Sequence, residues 1–256
     1  MTFKELLGVE FKKLKHSKLL LILFAAAVIL WIPSIINADL NFQMQAEGIS
    51  PENNFFIQGF LAMSWFLFPA SMVVGTVLIN QTERQNRGIV KMLSLPINTV
   101  NMCLAKFVVL IIMAALQILM TTVLYYISAA IASGMQSYNL ILNPLYVFRE
   151  VCFIYLSAIP MLSFFWALSI CVKTPIFSVG IGLASIVPSV LIMNTKAWIG
   201  YPMCYSFYLI TSEYGRLAGG MSTWTFKVFP WLIIAILFTV FCLVVSCFIF
   251  GRSERR

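Results

Sequence analysis

Glu83, Arg84, Asn86, Arg87 and Lys91 lie together in the stretch TERQNRGIVKMLSLP (82–96), the most polar run of the chain. On a helical wheel Arg84, Arg87 and Lys91 share one stripe and Ile89, Met92 and Leu93 lie roughly opposite. Glu83 precedes Arg87 by four residues, the spacing of a supporting ion pair. The pattern predicts a short amphipathic helix ending at Leu95, because Pro96 has no N–H to donate and its ring clashes with the preceding turn. Such a helix can rest on anionic headgroups, each lysine gaining about 1 kcal/mol, or it can present a docking surface to another protein. The abrupt corner at Pro96 fits the second role better.

A second polar set precedes the first apolar run. Phe3, Leu6, Leu7, Phe11 and Leu14 cluster on one helical face with Lys4, Lys12, Lys13 and Lys15 outside it, so residues 1–18 are predicted to form an interfacial helix. Glu10 falls inside the apolar arc, where an unpaired carboxylate is costly, and it therefore implies a partner. Within the long apolar runs the polar groups are mild. Gln117, Thr121 and Tyr125 belong to the third run, either as interhelical hydrogen bonds or as part of a path for a substrate that is both apolar and polar.

Other chemistries find few residues to carry them. No apolar run holds a central carboxylate, histidine or lysine of the kind an ion-driven carrier uses. Paired carboxylates, a histidine pair and a serine–lysine set are likewise missing from the runs, so the chain is not expected to be an enzyme. The six cysteines show no CxxC spacing and the single histidine, His16, sits among lysines, which predicts neither a disulfide framework nor a metal site. The net charge of +8 comes from residues flanking apolar blocks rather than from a basic face with interleaved aromatics, and nucleic acid is excluded as a partner.

The elements that must position these residues follow from composition. With 61% hydrophobic and 10% charged residues, the chain reads as an all-α integral membrane protein, a single domain over 1–256. A span needs about 20 apolar residues, and six such runs occur, at 19–38, 55–79, 104–132, 151–172, 176–194 and 228–250. The first is too long for a signal-peptide core and lacks a convincing cleavage site, so it is expected to be retained. Thirteen lysines and arginines fall on the side holding both termini and 82–96, against four on the other side, which predicts that both termini and that segment are cytoplasmic. The second span is introduced by Ser50 as N-cap and Pro51 in the first turn, and Pro69, Pro160 and Pro188 are predicted to kink their spans. The external segment 195–227 is too apolar for a free loop and is expected to fold back as a short helix or re-entrant element.

The residues also carry a resemblance. GVEFKKLKHSKLLLI, with Glu10, Lys13 and Lys15, resembles the start of type 2 ABC transporter permeases. TERQNRGIVKMLSLPINTVNMCLAK, with Glu83, Asn86, Lys91, Leu95, Pro96 and Lys106, is similar to the cytoplasmic segment of the same family, nearest in flavour to the small bacterial permeases that protect against lantibiotics and bacitracin. Gly88 departs from that pattern, where relatives often carry a helix former. The resemblance implies the membrane subunit of an exporter in the bacterial cell membrane. It implies two copies of a cytoplasmic ATP-binding subunit, which hold ATP and Mg, and a second permease, identical or homologous. Glu83, Arg84, Asn86, Arg87, Lys91, Leu95 and Pro96 would then belong to a coupling helix between the second and third spans, braced by the N-terminal helix. The chain itself has no GxxxxGK[ST] phosphate loop and is expected to bind no cofactor. The implied cargo is a lantibiotic or other antimicrobial peptide. Export of another drug or a lipid-like molecule, or an ATP-independent channel or carrier, is the alternative.

Overall fold

The computed structural model describes residues 3–15, 19–43, 48–84, 98–172, 174–218 and 228–253. Every regular element among them is helical. Helix α1 covers Phe3–Lys15 and α2 Leu19–Ile36. Helix α3 is one run in three parts, Pro51–Ala62, a π-helical turn Met63–Leu67, and Phe68–Arg84. Helix α4 is Thr99–Gln136, α5 is Pro144–Cys171, and α6 is Pro175–Ile186 followed by a short turn Ser189–Ile192. Helix α7 covers Tyr205–Leu217 and α8 Val228–Ser253.

Six of these segments are long and apolar enough to cross a membrane: Leu19–Ile36, Pro51–Asn80, Thr99–Gln136, Pro144–Cys171, Pro175–Ile192 and Val228–Phe250. Their ends differ from the apolar runs because caps, not hydropathy, set them. Asn98 caps α4 by accepting the Val100 N–H at 2.9 Å, and Asn143 caps α5 through Leu145 with Pro144 at the first helical position. Helix α4 therefore has 38 residues, about 57 Å at about 1.5 Å per residue, and overshoots a hydrocarbon core of about 30 Å. Its far end closes on Ser137, which takes the left-handed conformation (φ 51°) of a helix C-terminus. At α3 the expected Ser50 cap is not made. Pro51 opens the helix as expected, but the Ser50 hydroxyl accepts from Asn53 Nδ2 instead.

The three prolines expected to kink their spans behave differently. Pro69 cannot donate to the carbonyl four residues back, and the chain widens just before it, where the Phe68 N–H reaches past the Ser64 carbonyl to Met63 O. Pro160 is contained within an uninterrupted α5, whereas Pro188 ends the main part of α6. The core is continuous. Helix α5 packs on α3, α4, α7 and α8, while α4 also contacts α1, α2 and α8. Much of segment 195–227 folds into this body. Two 3-10 turns, Lys196–Gly200 and Pro202–Cys204, lead into α7, whose Tyr205, Phe207, Leu209 and Ile210 are buried against α5 and the start of α3.

Candidate functional site

The site begins at α1. Leu6 and Glu10, one turn apart, form the side of α1 that is lost to solvent, while Phe3 and Phe11 remain exposed. The face turned to the bundle is thus centred on the carboxylate, and the apolar arc is only partly used. The required partner lies across the interface with α4. Lys106 Nζ donates to Glu10 Oε2 at 2.9 Å, and Lys13 Nζ donates to Glu10 Oε1 at 2.8 Å. Lys106 is 0% exposed and Glu10 5%, a depth at which lysine and glutamate occur almost only when paired. Each carboxylate oxygen thus takes a charge-assisted bond from a different helix. Lys106 stands two turns into α4, which is the first element after segment 85–97. Any displacement of the start of α4 is therefore tied mechanically to α1.

The other predicted residues divide three ways. Lys15 lies in α1, and Glu83 and Arg84 lie in the last turn of α3; in each case the helix is described and the side chain is not. Asn86, Arg87, Lys91, Leu95 and Pro96 lie outside the described residues. Gln117, Thr121 and Tyr125 are in the interior of the bundle, each bonded there. Gln117 Oε1 accepts from the Ser71 hydroxyl of α3 at 2.7 Å, and the Thr121 hydroxyl donates to the Gln117 carbonyl. Tyr125 accepts the Leu142 N–H, and its ring meets Trp31 at 5.5 Å and Phe56 at 5.3 Å. The Gln117 bond crosses to α3, whereas the Thr121 bond stays within α4.

A second charged group was not visible from spacing across the chain. The Tyr146 hydroxyl on α5 donates to Glu213 Oε1 on α7 at 2.8 Å, and Arg216 Nε donates to Glu213 Oε2 at 2.7 Å. Arg149 pairs with its neighbour Glu150 at 2.7 Å and stacks its guanidinium over Tyr146 at 5.4 Å. The local signal was the i, i+3 spacing of Glu213 and Arg216; the Tyr146 contact needed the fold. Burial alone would raise the Glu213 carboxyl, but the bonds from Arg216 and Tyr146 outweigh it and hold the group below its ordinary 4.5. A lowered folded-state value stabilises the structure above the ordinary value, and that contribution is lost as the pH falls through the lowered one. Docking of α7 on α5 is thus expected to be pH-independent near neutrality and to loosen only in acid. Glu213→Gln should abolish this acid dependence, which is measurable as hydrogen exchange of 205–217 against pH.

Six apolar helices with charges confined to their ends, and a buried ion pair joining an N-terminal helix to the third span, describe a multi-pass membrane protein. A family model described as ABC-2 family transporter protein matches residues 6–189, and the chain belongs to that family. It is accordingly a membrane subunit of a transporter that works with an ATP-binding subunit. The matched region takes in Glu10, Lys106 and all of 82–96. No significant match was found among curated proteins or solved structures.

Proposed function

We propose that this chain is the permease of an ATP-driven exporter, with both termini and segment 82–96 on the cytoplasmic side of a bacterial membrane. Segment 82–96 docks in a cleft of the ATP-binding subunit through Glu83, Arg84, Asn86, Arg87 and Lys91, and Pro96 turns the chain back toward the membrane. Two ATP-binding subunits serve a pair of permeases, either two copies of this chain or this chain and a homologue. The cargo is a membrane-active antimicrobial peptide of the lantibiotic type, expelled from the bilayer for immunity.

The observation that supports this reading best is the Glu10–Lys106 pair at 2.9 Å. It fixes α1 to the span entered directly from the docking segment, so a push on that segment reaches two elements rather than one. A helix resting on lipid alone needs no such buried tie. Export in cells expressing the ATP-binding subunit tests the proposal. Lys91→Glu and Glu83→Ala are expected to reduce export and co-purification of that subunit by about tenfold or more, as reversal or loss of a charge at an interface does, while membrane insertion stays normal. Full export and full co-purification in both variants would overturn the docking role.

A further inference from the structure

Between the end of α2 and the start of α3 lies an open cleft of about 350 Å³, lined by Ser34, Asn37, Asn41, Asn54, Phe55 and Gln58. It stands at the opposite end of α2 from the Glu10–Lys106 pair, since α2 separates them by 18 residues, about 27 Å. Its carboxamides form a relay in one direction. Gln58 Nε2 donates to Asn54 Oδ1 at 3.4 Å, Asn54 Nδ2 to Asn41 Oδ1 at 3.2 Å, and Asn41 Nδ2 to the Ala38 carbonyl at 3.0 Å. Asn37 Nδ2 donates to the Pro33 carbonyl. The relay uses amide hydrogens and leaves oxygens. Among the described residues no donor reaches Asn37 Oδ1 or Gln58 Oε1, and both residues are exposed.

Charge is sparse in the segment that carries the cleft. From residue 19 to residue 81 the sequence has no lysine, arginine or histidine, and its only charges are Asp39, Glu47 and Glu52. The floor is aromatic, with Phe55 stacked on Trp31 at 5.8 Å. Outward-facing acceptors and an aromatic floor, in a segment whose only charges are acidic, favour a cation with several N–H donors over a neutral or anionic group. The volume suits the end of one side chain, not a folded peptide.

We propose that this cleft binds a primary alkylammonium group, the chemistry of a lysine side chain, presented by a membrane-active peptide. The inference rests on the peptide-export reading above, but binding requires no ATP-binding subunit, so it can fail while export stands. The test uses the full chain in phosphatidylcholine nanodiscs, with equilibrium dialysis of labelled octylammonium corrected by empty nanodiscs. Saturable binding is expected, about tenfold tighter than for octyltrimethylammonium, which has the charge but no N–H donors; octanol should not saturate. Asn37→Leu/Gln58→Leu, at two exposed positions, should reduce octylammonium affinity about tenfold with an unchanged Tm. A lysine-bearing amphipathic peptide should displace the probe and its Nε-acetylated form should not. Equal affinity for the two ammonium probes, or unchanged affinity in the double variant, overturns the site. Displacement by an equimolar phosphatidylcholine and phosphatidylethanolamine bilayer overturns the peptide as occupant in favour of an amino lipid.

Discussion

Replacing Lys106 with methionine is expected to destabilise the protein by about 3 kcal/mol, at the lower end of what breaking a buried ion pair costs. Methionine fills nearly the same volume, so packing is largely retained and the loss comes from Glu10. That carboxylate is 5% exposed and would keep only the bond from Lys13, on its own helix. It recovers solvation by withdrawal of α1 from α4. That exposes Leu6, now 1% exposed, and frees a helix that has few other attachments, namely its contacts with α2. Hydrogen exchange over 3–15 should therefore rise far more than over α5, and Tm should fall. Glu10→Leu/Lys106→Met removes both charges together and should recover most of the stability, because apolar groups of similar volume replace buried pairs at little cost. If the double variant is as unstable as Lys106→Met alone, the tie is not electrostatic.

This pair also marks how far sequence reasoning reaches. Glu10 was identifiable as a group needing a partner, since a carboxylate in an apolar helical arc is a local anomaly. Its partner was not, because Lys106 is 96 positions away, and the pattern that singles out Lys106 does not pair it with Glu10. The six spans were legible from apolar run length alone, but their ends were not. Hydropathy records the thickness of the bilayer, while Asn98 and Asn143 set where α4 and α5 begin. Pro69 predicted a disturbance in α3 without saying that a wider turn from Met63 to Leu67 would absorb it. The polar groups of the third span show the opposite limit. Gln117 has the residue type a substrate path would use, and only the approach of α3 shows that its Oε1 accepts from Ser71. The cleft of carboxamides escaped notice because Asn37 and Asn41 follow one helix and Asn54 and Gln58 begin another, so the four meet only once α2 and α3 are side by side.

Gly59→Val should be the most damaging single substitution at a glycine, with an expected loss of about 4 kcal/mol, the sum of an overpacking cost and a broken buried hydrogen bond. A Cβ at Gly59 would fall 2.5 Å from Trp31 Cη2 and 2.6 Å from Cζ3, inside any tolerable contact and against the rigid edge of an indole. The ring has no free direction. It stacks on Phe55 at 5.8 Å, meets Phe60 at 5.9 Å and Tyr125 at 5.5 Å, and its Nε1 donates to the Thr121 carbonyl at 3.1 Å. Room can be made only by parting α2 from α3 or by moving the indole off Thr121. Overpacking of a closed core costs about 1–3 kcal/mol, and leaving a buried donor or acceptor unsatisfied adds about 1–3 kcal/mol. Gly59→Ala should already be destabilising, since the clash arises at Cβ, and Trp31→Leu in the same chain should relieve it. Gly134 supplies the control. It lies in α4, where an added Cβ would meet nothing within 4 Å, so Gly134→Ala should gain the helix-propensity difference of about 0.5–1 kcal/mol. Opposite signs of the Tm shift for Gly59→Ala and Gly134→Ala would show that close approach to Trp31, and not glycine's backbone freedom, is what selects glycine at position 59. Equal shifts would show that α2 and α3 are not packed through this contact.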